Sequence, residues 1–474
     1  MTSPPARTPL GTRYWRLWTA SVISNLGDGV AQVAYPWLAS AVTRNALLLA
    51  GIAVAQRLPW LLFTLPAGVI TDRLDRRRII VSMNLVAAAL TVLVAVAVLA
   101  GQSSLPTGDE VSAGVFTLGP GIYLVLLYVS AVLFGMAEVL RDNSSQTILP
   151  AIVEPAALER ANGSLWGAEM VANSFVGPPL GGFLLALAFS VPFFVDAGSF
   201  AIAAGLVFFI AGNFRAEGSG SRSRGKISWR REIADGVRWL WRHPLLRPMA
   251  IILGIMNGVT MMAFATFVLF AQEILDVDAT TFGILGTGAA LGGVLGSVFA
   301  AKVSRALGSG TSLYLTIVGS AVLLVVQGAT SSWPVFWLAM LGGVFLGTVW
   351  NVITVSLRQT IIPDELLGRV NSVYRFFGWG MMPLGAIVGG IVVAAFEVAT
   401  SRELALRMVF FIAAGIYGLA FIYAVPRLTT AKIESARAEG LEGREAVSPG
   451  TGVIQEAVAE TGVIDMVPSA DTDD

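Results

Sequence analysis

Twelve long apolar stretches constrain the fold of this chain more than any other feature of its sequence. A helix needs about 20 apolar residues to cross the hydrocarbon of a bilayer. The stretches fall near residues 17–41, 46–71, 79–100, 121–141, 163–189 and 191–212, and again near 249–273, 280–303, 311–330, 333–359, 367–395 and 405–426. The predicted fold class is therefore all-α: a polytopic membrane protein with twelve transmembrane helices in two six-helix bundles.

The composition excludes several other classes. Of the 474 residues, 55% are hydrophobic and 13% are charged, whereas a soluble protein carries about 25% charged residues. The 31 basic and 31 acidic residues balance, which argues against a nucleic-acid partner. Cysteine is absent and His243 is the single histidine, so disulfides, a thiolate or histidine metal site and a histidine triad are not expected. We expect no enzyme activity, no metal and no cofactor.

Basic residues alternate between the predicted loops. They crowd into the N-terminal segment, the second loop and the central interval, as Arg7, Arg13, Arg16, Arg73, Arg76, Arg77, Arg78, Arg215, Arg222, Arg224, Lys226, Arg230 and Arg231. The other loops hold little basic charge beyond Arg44 and Arg402. Because basic loops stay in the cytoplasm, both termini are predicted to be cytoplasmic, in a multi-pass protein of the plasma (inner) membrane.

The chain divides into five predicted segments. Residues 1–16 form a cytoplasmic N-terminal segment and 17–212 the first six-helix bundle. Residues 213–248 are a cytoplasmic linker, rich at first in glycine, serine and arginine, with a helix on the membrane surface. Residues 249–426 form the second bundle. The polar, increasingly acidic tail at 427–474 is expected to be disordered.

The two halves of the sequence contain matching short motifs. QTILP at 146–150 matches QTIIP at 359–363, and later PLG at 179–181 matches PLG at 383–385. The matches occur in the same order at equivalent places in each half, which indicates duplication. Parallel six-span repeats are a transporter architecture, with the substrate site between the halves near the midplane of the bilayer.

The loop after the second stretch reads GVITDRLDRRR, starting at Gly68. It resembles the signature loop of the major facilitator superfamily: a glycine, an aspartate–arginine pair four residues on, then a basic pair. The resemblance implies that Gly68, Asp72, Arg73 and Arg77 gate the cytoplasmic side. Asp75 stands where the family usually has a second glycine. The alternative, that the arginines only set topology, explains the basic charge but not the aspartate.

The fifth stretch contains GPPLGG, with Gly177, Pro178, Gly181 and Gly182. This resembles a motif of drug and proton antiporters. Proline bends the helix, and the glycines allow close packing; a kink that serves packing alone is the other interpretation. Over 12–426 the chain resembles the multidrug, macrolide and siderophore exporter branch of the superfamily.

Ionisable groups inside membrane spans are costly and mark functional candidates. Asp28 and Arg57 are predicted at matching mid-membrane depth in spans one and two, where the two side chains can pair. A nearby arginine favours the charged carboxylate, and separating the two would favour proton uptake, as an antiporter requires. A permanent structural ion pair is the alternative.

Further candidates lie in the other spans. Glu138 and Arg141, at i and i+3 of span four, can face one another. Glu169 in span five and Arg375 in span eleven are expected at the cavity. Asp196 lies near the outer end of span six and is predicted to be an interfacial residue.

The favoured function is secondary active transport: proton-coupled efflux of amphipathic small molecules by rocking of the two halves. The glycine-rich stretch at 283–296 lacks the lysine of a phosphate loop, so an ion gradient is the expected energy source. The expected partners are a small-molecule substrate, the proton gradient and the lipid bilayer, and the resemblance implies a monomer. The alternatives are a nutrient or metabolite facilitator or symporter and, more remotely, a non-transporting membrane sensor.

Overall fold

The computed structural model describes residues 9–101, 121–154, 157–212, 214, 229–362 and 364–447. All regular secondary structure in these residues is helical. The first bundle contains α1 (Gly11–Val42), α2 (Ala46–Leu62), α3 (Thr64–Arg73), α4 (Arg76–Ala100), α5 (Gly121–Ile152), α6 (Leu158–Met170), α7 (Gly177–Leu187) and α8 (Val191–Phe208). There follow α9 (Trp229–Arg242), α10 (Leu246–Phe264), α11 (Phe267–Glu273), α12 (Ala279–Leu307), α13 (Ser309–Ala329), α14 (Trp333–Ile361), α15 (Asp364–Ala399), α16 (Arg402–Ala424) and α17 (Thr430–Val447).

The predicted fold class is confirmed. In the described part of the chain, ten helical stretches are long and apolar enough to cross a membrane. The 32-residue α1 and the broken pair α2–α3 supply the first two of the twelve spans. Six spans precede α9 and six follow it, so the internal repeat of the sequence corresponds to two helical bundles.

Two spans are interrupted where the sequence suggested continuous helices. Phe63 separates α2 from α3, because Pro66 in the next turn has no N–H to continue the ladder and its ring crowds the carbonyl of Leu62. Span seven is broken between α10 and α11, at Ala265 and Thr266.

The fifth span contains a π-helix at Val171–Val176, between α6 and α7. Pro178 gives the physical reason. It donates no backbone hydrogen bond, and its ring would clash with the carbonyl of Ser174 in a regular helix. The wider π turn relieves this crowding, and the Gly177 amide bonds to the carbonyl of Ala172, five residues back. The sequence predicted a bend at this motif, and the structure shows a π segment immediately before it.

The bundle has two ends. The terminal face carries the start of α1 and the junction of α16 with α17, and the opposite face carries the α1–α2 turn at 43–45. Close backbone contact between the bundles occurs toward the opposite face. A Cβ added to Gly182 would lie 2.3 Å from the Ala279 carbonyl oxygen, and one added to Gly283 would lie 2.3 Å from the Pro178 carbonyl oxygen. Helices α7 and α12 therefore meet with no room for a methyl group.

The expectation of a disordered tail from residue 427 was wrong for its first part. Thr430–Val447 form α17, which packs on α13 and α14. Leu428 and Ile433 are fully buried, so an apolar anchor holds this polar helix on the terminal face. The linker contains a helix, α9, which contacts α15 and α10. Residues 215–228 and 448–474 lie outside the described part of the chain.

Candidate transport site

A cavity of about 370 Å³ lies between the two bundles. Its lining comes from α1, α2, the fifth span, α10 to α12 and α14, and it is mainly apolar, with Met170, Phe282 and Met340 among its residues. Gln32 and Gln56 supply amide groups. A mostly apolar cavity with a few polar groups suits an amphipathic small molecule.

An ion pair lies inside the first bundle, between α1 and α5. Arg141 Nη2 donates to Asp28 Oδ2 at 2.8 Å, and Arg141 Nε lies 3.7 Å from Asp142 Oδ1. The Arg141 guanidinium also lies over the Phe200 ring, 5.3 Å from its centroid. Arg141 is 8% exposed, so this charge is almost removed from water and the carboxylates compensate its desolvation.

The expected pairing of Asp28 with Arg57 was wrong. Arg57 is half-buried on α2 and makes no ion pair with any acid that the structure describes. A matching depth along two spans is not sufficient for an ion pair, because a pair also depends on which way each helix is turned. Asp28 faces α5, where Arg141 reaches it.

Glu138 and Arg141 do not form an ion pair with each other. Arg141 bonds to Asp28, whereas Glu138 Oε2 accepts a hydrogen bond from Trp60 Nε1 at 3.3 Å. Trp60 in turn stacks on Trp379 of α15, with ring centroids 6.0 Å apart. Glu138 therefore supports an aromatic contact between the bundles.

A second, polar cavity of about 740 Å³ lies within the first bundle. Arg141, Asp142 and Glu169 line it, together with Asn25 and Asn84. Ser21 Oγ donates a hydrogen bond to Glu169 Oε1. Carboxylates and amides therefore extend from the Asp28–Arg141 pair toward the terminal face, in a cavity large enough for several waters.

The π segment contributes a side-chain amide that sequence reasoning did not select. Gln32 Nε2 donates to Asn173 Oδ1 at 2.7 Å, and Asn173 Nδ2 donates to the Asn25 carbonyl at 3.4 Å. Asn173 stands where the antiporter motif has a glycine. The bonds tie the fifth span to α1 next to Asp28, and Gln32 also lines the central cavity.

Asp196 was expected at the membrane interface, and this was wrong. It is 1% exposed on α8, and neither carboxyl oxygen has a hydrogen-bond partner in the described structure. A Cβ added to Gly27 would lie 2.5 Å from Asp196 Oδ1, so the carboxyl group packs on α1 directly beside Asp28. The sequence did not predict this burial, because a residue near the outer end of a span is normally expected at the membrane–water interface.

The GPPLGG motif lies at contacts with both bundles. Gly177 approaches Gly29 of α1: an added Cβ would lie 2.6 Å from the Gly29 Cα. Gly181 packs in the same way on the backbone of Val30: an added Cβ would lie 2.6 Å from the Val30 carbonyl oxygen. Gly182 contacts α12 of the second bundle, as described above. The motif is therefore a packing surface as well as an interruption.

The predicted terminal-face gate is described in part. Asp72 and Arg73 fall within α3 with Gly68, and the side chains of the two charged residues lie outside the described part of the structure, as does that of Arg375 in α15. Arg77 Nη1 donates to the Ile210 carbonyl at 2.9 Å. The Asp75 side chain accepts from two backbone amides as the N-cap of α4, which gives a reason for aspartate where the family usually has glycine.

A polar network joins the bundles on the opposite face. Arg402 makes two bonds to Glu273, from Nε at 2.7 Å and Nη2 at 3.0 Å, and Nη2 also donates to the Arg44 carbonyl at 2.8 Å. Arg44 Nη1 lies 3.7 Å from Glu273 Oε1 and donates to Gln272 Oε1. Gln272 Nε2 donates to Ser40 Oγ at 2.9 Å.

Arg44, in the α1–α2 turn, is held by this network. Burial lowers the pKa of its guanidinium, the Glu273 carboxylate raises it, and nearby Arg402 lowers it further. Glu273 is thus the counter-ion that allows two arginines of different bundles to lie side by side. The sequence singled out both arginines but not Glu273 or Gln272, which sit at the end of an apolar run.

The family model and the relatives that match this twelve-span chain place it among the membrane transporters of the major facilitator superfamily. More particularly, the chain belongs to the transmembrane secretion effector family, whose model matches residues 5–458. It is similar to the multidrug efflux pump Tap of Mycolicibacterium fortuitum, with 27% identity over 384 residues, covering 78% of this chain and 87% of that protein.

Two further likenesses are more distant. The enterobactin exporter EntS of Escherichia coli O81 (strain ED1a) is 26% identical over 148 residues, which cover 30% of this chain and 34% of EntS. The crystal structure of the nucleoside transporter NupG matches with a TM-score of 0.65 over 88% of this chain and 99% of that chain, at 12% identity. At that identity the likeness concerns the fold alone.

Proposed function

We propose that this transporter exports amphipathic small molecules in exchange for protons, by alternating access between its two bundles. The observation that carries the proposal is the Asp28–Arg141 ion pair, buried inside the first bundle at 2.8 Å. It lies between a polar cavity on one side and, through Asn173 and Gln32, the central cavity on the other. The names of the similar efflux pumps support export over import.

We further propose that the terminal face is cytoplasmic and that the structure represents the inward-facing state. The basic residues Arg76, Arg77 and Arg78 on this face support the orientation. The tight contact of α7 with α12 and the polar network around Glu273 support closure of the opposite, external face. We also propose that the two bundles comprise residues 17–212 and 249–426, as predicted from the sequence.

Protonation and transport are coupled through Asp28. In the inward-facing state the carboxylate is ionised and bound to Arg141, and the polar cavity gives its proton a route to the cytoplasm. The change to the outward-facing state includes a shift of α1 relative to α5 within the first bundle, which separates Asp28 from Arg141. The carboxylate then loses its counter-ion and takes up an external proton, because an unpaired buried carboxylate favours its neutral form. The pair reforms only when the proton is released inside.

The substrate binds in the central cavity. The apolar side chains of Met170, Phe282 and Met340 contact its hydrophobic part, and the amides of Gln32 and Gln56 bond to its polar groups. Because Gln32 is bonded to Asn173, a substrate that competes for this amide also disturbs the link between α1 and the fifth span. Substrate occupancy and the Asp28–Arg141 pair are therefore mechanically connected.

The test is transport by the purified protein in proteoliposomes, with ethidium, tetracycline and a macrolide as probes and an imposed pH gradient. We expect wild-type protein to drive probe movement and a counter-flow of protons, read by an internal pH dye. Asp28→Asn abolishes gradient-driven movement while leaving downhill exchange of probe. Glu154→Gln, which removes an exposed carboxylate after α5, is the matched control. Equal rates with and without the gradient in wild-type protein would refute proton coupling.

A further inference from the structure

A third cavity, of about 810 Å³, lies on the terminal face where the linker meets the tail. We call it the tail pocket. It is lined by the end of the linker, the first turn of α10, the end of α14 and the first turns of α17, with His243, Arg247, Ile361, Arg427, Lys432 and Glu439 among its residues. It is separate from the transport site, and the proposed function does not use it.

The tail pocket carries an excess of positive charge. Arg247, Arg427 and Lys432 face one lining carboxylate, Glu439, and none of the three cations forms an ion pair with an acid in the described part of the chain. Their polar contacts go to backbone carbonyls: Arg247 Nη1 to Trp241 at 3.2 Å, Arg427 Nη1 to Tyr423 at 2.9 Å, and Lys432 Nζ to Pro426 at 2.7 Å.

These contacts hold the cations in place without neutralising them. A guanidinium has five N–H donors and an ammonium has three, so each cation keeps donors for a ligand. The carbonyl bonds also fix Arg247 and Arg427 to the last turn of the preceding helix, and Lys432 to the turn before α17. The three positive charges are therefore preorganised around one cavity.

His243 adds a neutral donor. Its Nδ1 accepts hydrogen bonds from the amides of Leu245 and Leu246, at 3.2 and 3.1 Å, at the start of α10. Nδ1 is therefore unprotonated, and the ring proton of the neutral imidazole lies on Nε2. Burial lowers the pKa of His243 and the Glu439 carboxylate raises it. The first residues of α17, Ala431 and Lys432, bring a helix N-terminus to the same cavity.

We propose that the tail pocket binds a phosphate-bearing anion, with the headgroup of an anionic phospholipid as its ligand. Arg427 follows α16 by three residues and Arg247 lies in the first turn of α10, so both are at the membrane–water boundary. Ile361 and Leu245 supply an apolar wall beside the cations, which suits the glycerol and upper acyl region of a lipid. A free phosphate shares the headgroup chemistry but leaves this apolar wall unused.

Binding in the tail pocket would connect parts of the chain that are far apart in sequence. The ligand contacts the end of the linker through His243, α10 through Arg247 and the tail helix through Lys432. An anionic lipid therefore holds the tail helix and the linker against the second bundle. It acts on the element that joins the two bundles, at the face that must open and close.

The experiment measures binding to the full-length protein in detergent. Native mass spectrometry gives the retention of phosphatidylglycerol and of phosphatidylcholine, and a thermal-shift titration with inorganic phosphate forms the second arm. The variants are Arg247→Gln/Arg427→Gln, the conservative Arg247→Lys/Arg427→Lys, and Lys302→Gln. Lys302 is a cation on the same face, placed over the Phe299 ring and outside the pocket, so it is the matched control.

We expect phosphatidylglycerol to bind more tightly than phosphatidylcholine, and the double glutamine variant to weaken it by about fivefold for each cation removed. The double lysine variant and Lys302→Gln retain binding. If the double glutamine variant loses only phosphatidylglycerol binding, the ligand is a lipid headgroup. If it loses the thermal shift with inorganic phosphate, the pocket is an anion site for a soluble ligand. Equal binding by wild type and the double glutamine variant in both arms overturns the proposal. So does an equal loss in the lysine variant, since the effect would then be structural.

Discussion

Among single residues, the stability of the first bundle depends most on the counter-ion of the buried Arg141 guanidinium, which is Asp28. The side chain of Arg141 is 10% exposed and that of Asp28 is 24% exposed, so removing one partner leaves a charge largely without water. Breaking a buried pair from one side costs about 3–5 kcal/mol, whereas removing both partners costs much less. The effect of substitutions at this pair on the free energy of unfolding can therefore be predicted without reference to transport.

We expect Arg141→Gln to destabilise the protein by about 3 kcal/mol and Asp28→Asn/Arg141→Gln to recover most of that loss. The reason is that Asp28 is left without its counter-ion only in the single variant. Thermal unfolding in detergent, followed by fluorescence of the 12 tryptophans, measures both. Arg57→Gln, which breaks no described ion pair, should shift the midpoint little. Equal loss in the single and double variants would show that Asp28 does not depend on Arg141.

The cost of burying charge in a membrane marks Asp28, Arg57 and Arg141 in the sequence, but it carries no information on how each helix is rotated about its axis. Asp28 was therefore matched by depth to Arg57 instead of Arg141. Asp196 failed for a related reason, because position along a span does not reveal that α8 packs it against Gly27 of α1.

At the scale of helices, the contact of α7 with α12 needs glycine. A methyl group at Gly283 would lie 2.3 Å from the Pro178 carbonyl oxygen, whereas one at Gly293, ten residues along α12, would lie 3.9 Å from its nearest neighbour. Overpacking of this kind costs about 1–3 kcal/mol. The close contact belongs to the state with the opposite face closed. A methyl group at Gly283 therefore destabilises that state relative to the open one.

We expect Gly283→Ala to shift the population toward opening of the opposite face by about 5–150-fold, and Gly293→Ala to leave it unchanged. Cysteine is absent from the chain, so Ser174→Cys in the central cavity provides a single reporter. Its reaction with a membrane-impermeant maleimide applied to cells should be faster in Gly283→Ala than in Gly293→Ala. The same rate in the two backgrounds would mean that the contact does not control access.

Helices were the most predictable elements, because length and hydropathy alone limit a membrane span. The sequence predicted twelve spans in two groups, and the proline of the GPPLGG motif predicted a bend in the fifth. What it could not predict was the π segment that accompanies the motif. The π segment Val171–Val176 adds one residue to a turn and thereby turns Asn173 toward Gln32, a result that depends on packing against α1. The tail helix was missed because its few apolar anchors, Leu428 and Ile433, are hidden in a polar segment.

At the scale of the whole molecule, Glu273 decides whether the two bundles hold together on the opposite face. It lies between Arg44 of the first bundle and Arg402 of the second, with side chains 22%, 10% and 28% exposed. Without this carboxylate, Arg402 keeps Glu397 as a counter-ion, at 2.8 Å from its Nη1, but Arg44 then faces the Arg402 guanidinium across the closed interface with no described acid between them. Like charges at that distance repel, and the charge-assisted bonds to Glu273 are lost as well.

We expect Glu273→Gln to favour the state with the opposite face open by about 1–2 kcal/mol, a shift of about 5–30-fold in population, since partial exposure weakens the network. Spin labels at Ala186→Cys and Ser332→Cys, one in each bundle on this face, should report a longer mean distance by pulsed electron resonance. The control is Glu403→Gln. Glu403 lies on the same face but pairs with Arg407 at 3.0 Å within one helix, so its loss should leave the distance distribution unchanged. A distribution in Glu273→Gln that matches wild type at both low and high salt would mean that backbone contact alone, through α7 and α12, closes this face.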